Sequence, residues 1–230
     1  MNNTEEIAIL LATLVLFSII SYRKKALDKQ GIIAGNIVGI LIYFFGRAAF
    51  STGLIPFFLI VLFFTLAEFA TRYARLLRKT HHEIRSIGNI LGNSGAALIA
   101  LVFASPIGFF AAVSCALADT ASSEIGLLSR KKPRLITSLK QVRAGTDGAV
   151  SKLGNAAAIA GAVAIALIHY ALFQDLKAFG VIAFAGVFGM LVDSVLGASL
   201  QKQGILNNSN VNFLSCGIAA IAAALLYAYF

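Results

Sequence analysis

The chain has 230 residues, of which 59% are hydrophobic and only 13% charged, with a mean hydropathy of +0.85. Several apolar runs reach the ~20 residues that cross ~30 Å of hydrocarbon, which excludes an ordinary soluble domain and predicts a polytopic membrane protein. The net charge of +9 and pI near 9.8 would suit nucleic acid, but surplus Lys and Arg in a membrane chain belong to cytoplasmic loops; orientation explains them, and no nucleic-acid partner is expected.

The expected class is all-α, a transmembrane helix bundle of about eight spans. An apolar run from Ile7 to Ile20 follows Glu5 and Glu6 and precedes Arg23, Lys24 and Lys25. A cleaved signal peptide carries its positive charge before the apolar stretch, so this order predicts a retained helix with its N-terminus outside. The second span, Ile32 to Phe45, needs part of 46–53 to complete its crossing, and Gly31, Gly35 and Gly39 let a neighbouring helix approach closely. The third, Leu54 to Ala70, leads into a basic connection. His81 and His82 in that connection have no further His or Cys near them in sequence and predict a solvated loop, not a metal site. Spans four and five cover Ile87 to Ala104 and Ile107 to Leu128, turning at Ser105-Pro106. The sixth covers Ala149 to Leu172, the seventh Ala178 to Leu200, and the eighth Val211 to Phe230. Cys115 and Cys216 fall in apolar segments and are expected as packed thiols.

Charge placement tests this topology, because one span too many or too few would scatter the cations over both faces. The cytoplasmic connections would hold Arg23, Lys24, Lys25 and Lys29, then Arg72, Arg75, Arg78, Lys79 and Arg85, then Arg130, Lys131, Lys132, Arg134, Lys140, Arg143 and Lys152, and finally Lys202. That is 17 of the 19 Lys and Arg, with only Arg47 and Lys177 outside. Both termini are therefore expected outside. Residues 1–86 read as a three-span scaffold, and 87–230 as a five-span catalytic bundle with a cytoplasmic basic loop at 129–152.

Two hairpins repeat a pattern. Spans four and five begin with Leu91-Gly92-Asn93 and end with Asp119-Thr120, while spans six and seven begin with Leu153-Gly154-Asn155 and end with Asp193-Ser194. This points to a tandem repeat of helix hairpins in parallel orientation, with a site between the halves. Asp119 lies eleven residues before Arg130 and Asp193 nine before Lys202, so each sits roughly 14 to 16 Å from its first cytoplasmic cation. A carboxylate at that depth costs several kcal/mol unless it faces water, a metal or a partner. Asp119, Asp193 and Glu124 are therefore expected to converge in a polar pocket and hold Mg²⁺, a hard cation that takes oxygen ligands and bridges to phosphates. The alternative is a buried Asp hydrogen-bonded to Asn and Ser. Glu124 follows Asp119 by five residues, about 140° around a helix, which predicts a helix break near Ser122-Ser123-Glu124.

The basic loop contains Gly145-Thr146-Asp147-Gly148, flanked by Arg143 and Lys152 and leading into the sixth span. A helix N-terminus preceded by glycines and flanked by cations is a ready phosphate site; an ordinary capped turn accounts for the same residues. Arg134, Lys140, Arg143 and Lys152 are the candidate phosphate ligands, whereas Arg130, Lys131 and Lys132 serve orientation or anionic lipid headgroups. The P-loop, dinucleotide, zinc-protease and nucleophile-elbow patterns are missing from the sequence.

The runs Asp119-Thr120-Ala121-Ser122-Ser123-Glu124-Ile125-Gly126, Pro133-Arg134-Leu135-Ile136-Thr137, Arg143 through Ser151, and Asp193-Ser194-Val195-Leu196-Gly197-Ala198 resemble the integral membrane family that includes plant and cyanobacterial phytyl-phosphate kinases. The similarity runs from about Asn89 to Gln201. More distantly, the chain resembles CTP-dependent dolichol and phytol kinases and CDP-diacylglycerol synthases. The resemblance implies transfer of a phosphoryl group from a nucleoside triphosphate, plausibly CTP, to an isoprenoid monophosphate such as phytyl phosphate, with Mg²⁺ as cofactor. It implies catalytic roles for Asp119, Glu124, Asp193 and Asn93. Substrate or nucleotide contacts would come from Ser122, Ser123, Arg134, Thr137, Lys140, Arg143, Gly145, Thr146, Asp147, Gly148, Ser151, Lys152 and Ser194. The competing readings are a proton- or cation-coupled transporter and a CTP-dependent lipid nucleotidyltransferase.

Overall fold

The computed structural model describes residues 2–79 and 84–230, so His81 and His82 lie outside the described residues. Eight long helices follow in chain order: α1 (Asn3–Arg23), α2 (Lys29–Ala49), α3 (Leu54–Arg78), α4 (Ile87–Val102), α5 (Pro106–Gly126), α6 (Lys152–Phe173), α7 (Leu176–Leu196) and α8 (Asn208–Tyr229). This is the all-α membrane bundle that the apolar runs predict. Six of the helices, α1, α2, α3, α6, α7 and α8, are long and apolar enough to cross a membrane by length and composition. Large apolar side chains such as Leu11, Val15, Ile37, Phe44, Phe58, Leu167 and Leu225 are exposed on the outside, where lipid would meet them.

Local sequence sets the helix starts. Asn2, Asp28, Ser105, Ser151, Asp175 and Asn207 each accept a hydrogen bond from the backbone N–H three residues on, satisfying a donor that the helix leaves open. The connections at one end of the bundle are tied together: Arg72 Nη2 donates to the Lys24 carbonyl (2.6 Å), Arg85 N to the Ala26 carbonyl (3.1 Å) and Asp28 N to the Arg85 carbonyl (3.1 Å). At the opposite end Arg47 Nη2 donates to Asn3 Oδ1 (2.8 Å), and Lys177 Nζ lies 4.4 Å from the Tyr227 ring centre. The two cations that the charge count set apart thus occupy the far end.

α5 is the axis of the bundle. It buries 12 of its 21 residues, including an unbroken run from Gly108 to Ala118, whereas α1 buries only Glu6, Leu10, Leu14 and Ser21. Five helices, α3, α4, α6, α7 and α8, pack around it. They can do so because its inner residues are small, among them Ala111, Ala112, Ser114, Cys115, Ala116 and Ala118. Small residues let helix backbones approach where lipid supplies no hydrophobic drive. α7 returns the fit: at Gly186 and Gly189 a Cβ would collide with Ser114 and Cys115. Both cysteines are free, buried and next to each other.

Two features depart from expectation. α5 is continuous from Pro106 to Gly126, with no break at Ser122-Ser123-Glu124. The basic loop carries a small antiparallel pair, β1 (Arg134–Leu135) with β2 (Ala149–Val150), and α7 ends in a π-helical turn over Gly197–Gln201.

Candidate functional site

The close approach of α5 and α7 positions the aspartates. Asp193 lies one turn beyond Gly189, and Asp119 one turn beyond Cys115, so each carboxylate shares a helix face with the contact that brings the helices together. The two carboxyl groups face each other within hydrogen-bond reach. Asp193 Oδ2 accepts from Ser215 Oγ of α8 (3.0 Å), and Asn212 of α8 donates to Asn93 Oδ1 of α4 (2.9 Å). Turned over, the Asn212 amide reaches Asp193 Oδ2 (3.3 Å) and the Asn208 carbonyl (2.9 Å) instead. Four helices therefore meet at one polar point, with Asn93 only 4% exposed.

This point lies in a cavity of about 600 Å³ at the basic end of the bundle. Of the residues singled out from sequence, Asn93, Asp119, Ser122, Ser123, Glu124, Gly145, Thr146, Asp147, Gly148, Ser151, Asp193 and Ser194 line it. Arg134, Thr137, Lys140, Arg143 and Lys152 do not; all five are exposed, and Arg134 Nη1 donates to the Leu139 carbonyl (2.8 Å) within its own loop. The glycine loop is seated over the π-helical turn that follows Asp193-Ser194. Gly148 has φ +71°, a conformation that favours glycine, and a Cβ there would strike Ala198 and the Ser194 carbonyl. At the start of α6, Ser151 Oγ already accepts from Gly154 N (3.0 Å), so one of the N–H groups proposed for phosphate is taken. Asn155, the repeat counterpart of Asn93, does not line the cavity, and its buried Oδ1 has no hydrogen-bond partner among the described residues.

Glu124 stands apart from the aspartates. Among the described residues no three His, Cys, Asp or Glu come together as a metal-binding group; the aspartates meet as a pair. Glu124 Oε1 instead accepts from Thr71 Oγ1 of α3 (3.1 Å). The five-residue offset of about 140° needs no broken helix, because the cavity extends around α5 and receives Asp119 and Glu124 on different sides.

Several lining or supporting residues carry no site role from sequence: Thr71, Arg75 and Arg85, the last two read only as orientation charges, and on α8 Asn208, Asn212 and Ser215. The α8 set had a signal, since Asn208, Asn212 and Ser215 stand at i, i+4 and i+7, a polar stripe on an apolar span. Chemically, a facing carboxylate pair supported by amide and hydroxyl groups offers all-oxygen coordination for a hard divalent cation. The cavity is large enough for a small polar molecule.

The chain matches, over residues 12–220, the family described as Integral membrane protein DUF92. It is 34% identical over 214 residues to an uncharacterized membrane protein of Methanocaldococcus jannaschii, covering 89% of this chain and 87% of that protein. It is similar to Protein PGR of Arabidopsis thaliana, 29% identical over 283 residues and covering 96% of both chains. Protein VTE6, chloroplastic, from the same plant is 27% identical over 226 residues, which cover 87% of this chain and 65% of that protein. No solved structure matches the chain. Because the family match takes in α2 to α7 whole, with every cavity-lining residue and both aspartates inside it, the chain belongs to the DUF92 family of integral membrane proteins.

Proposed function

We propose that this protein is a membrane-embedded phosphotransferase that moves the γ-phosphoryl group of a nucleoside triphosphate, CTP in the first instance, onto an isoprenoid monophosphate such as phytyl phosphate. The observation that carries this reading is the carboxylate pair Asp119 and Asp193 in a polar cavity at the basic end of a membrane bundle. The resemblance of the Asp119–Gly126 and Asp193–Ala198 runs to phytyl-phosphate kinases supports it, as does similarity to a chloroplast protein. The basic end would face the cytoplasm, where nucleotides are.

The donor set fits Mg²⁺, which typically binds through one or two carboxylates together with waters and substrate phosphates. Asp119 and Asp193 would hold it, and when bound it would neutralise the nucleotide phosphates. Phosphoryl transfer depends on positioning and charge neutralisation more than on covalent chemistry by the protein. An oxygen of the acceptor monophosphate attacks the γ-phosphorus, the bond from that phosphorus to the β–γ bridging oxygen breaks, and the nucleoside diphosphate leaves. The acceptor attacks as an anion, so no base need remove a proton. Asn93, Asn212 and Ser215 keep the carboxylates in place.

The test uses purified protein with Mg²⁺ and CTP labelled at either the α- or the γ-phosphate. Label transferred from the γ-position into a prenyl diphosphate is the expected result. Incorporation from the α-position would make the protein a lipid nucleotidyltransferase, and no lipid product with any nucleoside triphosphate would overturn the reading.

A further inference from the structure

The cavity has a wall of opposite character on the Glu124 side of α5. Thr71 and Arg75 come from one face of α3, four residues apart, and Arg85 from the connection into α4. The Arg85 main chain is fixed from both sides by the α1–α2 connection, through Ala26 and Asp28 at 3.1 Å each. Its side chain is only 12% exposed. Nη2 donates to Thr71 Oγ1 (2.9 Å) and to the Ala67 carbonyl (3.2 Å), and Nε lies 3.6 Å from Glu68 Oε2. Glu68 Oε1 in turn accepts from Arg72 Nε (2.6 Å).

A helix brace explains part of this network but not all of it. Arg75 and Arg85 both border the cavity as well, close enough for their charges to act on each other. Burial lowers the Arg85 guanidinium from its ordinary value, Glu68 and Glu124 oppose that shift, and Arg75 adds to it. On the same wall Glu124 Oε2 is buried with no hydrogen-bond partner among the described residues. Two guanidiniums therefore line one side of a solvent-sized space, with the Thr71 hydroxyl beside them donating to Glu124 Oε1. A guanidinium fork in a partly desolvated site binds phosphate oxygens more strongly than the same group does in water. The exposed cations of the basic loop lack that advantage.

We propose that Arg75 and Arg85 form the binding site for a phosphate monoester, and that the phosphate is that of the acceptor lipid. The identity of the phosphate's carrier rests on the proposed function; the site itself does not. The residues come from α3 and the α3–α4 connection, so the N-terminal unit supplies part of the site, beyond scaffolding. The assignment also separates the two phosphates in space: acceptor on the arginine side of α5, nucleotide and metal on the aspartate side.

The test measures binding, without divalent metal, of geranylgeranyl monophosphate, inorganic phosphate and CTP to the full chain in a neutral detergent. The proteins are the wild type, Arg75→Gln, Arg75→Lys and Arg85→Lys. The expected result is that Arg75→Gln binds geranylgeranyl monophosphate and inorganic phosphate at least about tenfold more weakly, the loss that follows from one charge-assisted hydrogen bond. CTP binding is unchanged, and Arg75→Lys recovers part of the affinity. Arg85→Lys keeps a cation beside Glu68 and gives the same direction of change if Arg75→Gln does not fold. Unchanged affinity for both non-nucleotide probes overturns the site. Loss of CTP binding with the lipid phosphate unaffected overturns the acceptor assignment. A wild-type protein that transfers no phosphoryl group, yet shows the Arg75→Gln binding loss, argues against the reaction and leaves the site standing.

Discussion

On one side of α5, Asp119 faces Asp193 of α7 near the amides of Asn93 and Asn212. On the other, five residues along, Glu124 faces Thr71 of α3 on the wall that holds Arg75 and Arg85. One helix thus separates an acidic side from a cationic side within a single cavity. The difference teaches how a membrane bundle can present both signs of charge in one cavity: a helix about 10 Å across stands between the aspartates and the arginines, while Glu68 and Glu124 offset the arginine charge on its own side. If the acidic side neutralises the donor and the cationic side holds the acceptor, the reacting groups meet where the two sides join.

The largest expected effect falls on the acidic side. Asp119→Asn and Asp193→Asn are each expected to lower turnover by about 100- to 1,000-fold, the scale for removing a group that stabilises developing charge. Size-exclusion behaviour in detergent should match the wild type. Near-normal turnover of either variant at limiting Mg²⁺ would reduce that aspartate to a structural polar contact. Next come its supports: Ser215→Ala or Asn212→Ala should raise the Mg²⁺ concentration for half-maximal activity by about tenfold, as loss of an outer-shell hydrogen bond does. An unchanged Mg²⁺ requirement would uncouple α8 from the metal.

Packing comes third. Gly189→Val would push α7 off α5 at Cys115 and off α8 at Ala219, costing about 1 to 3 kcal/mol as overpacking. A lower thermal aggregation midpoint, with activity lost before the fold, is the expected pattern. Arg143→Ala is expected to weaken CTP binding by at most about 1 kcal/mol, the range for an exposed charge. A larger loss in a CTP titration would move the nucleotide phosphates to the loop.

The smallest effect belongs to the far end, where Asp175 caps α7 and accepts from Tyr227 of α8. The N–H of Ala178, and after it the Tyr227 hydroxyl, hold the Asp175 carboxyl below its ordinary value of 3.8. A depressed folded-state value means that this carboxylate stabilises the fold above pH 3.8 and stops doing so as pH falls through the lower folded value. The stability difference between wild type and Asp175→Asn should therefore be present at neutral pH and disappear in acid. A difference that persisted at low pH would show that the charge is not what matters.

The helices and the acidic side of the cavity were readable in the sequence for the same reason: apolar runs of bilayer length are conspicuous, and so are carboxylates within them. Arg75 and Arg85 were hidden by that logic, since a cation at the end of a span is already explained by orientation. Asn212 and Ser215 were hidden because neutral polar groups in a small-residue helix carry little contrast. The break expected in α5 came from assuming that both carboxylates must point to one side, whereas the cavity reaches around the helix. The strands at Arg134–Leu135 and Ala149–Val150 are two residues each, too short to leave an alternating pattern.

The enclosure of α5 also bears on how the protein is made. Its 21 residues carry Asp119 and Glu124, and 12 of them are buried. It is held by its neighbours more than by lipid, and three of them, α6, α7 and α8, follow it in the chain. At a synthesis rate of about 5 to 20 residues per second, the ribosome needs several seconds to supply them. During that interval a half-covered helix carrying two carboxylates must be sheltered by α3 and α4 or by the insertion machinery. Chains that stall after α5 should therefore be recognised and degraded by membrane quality control, while chains that reach α8 escape it.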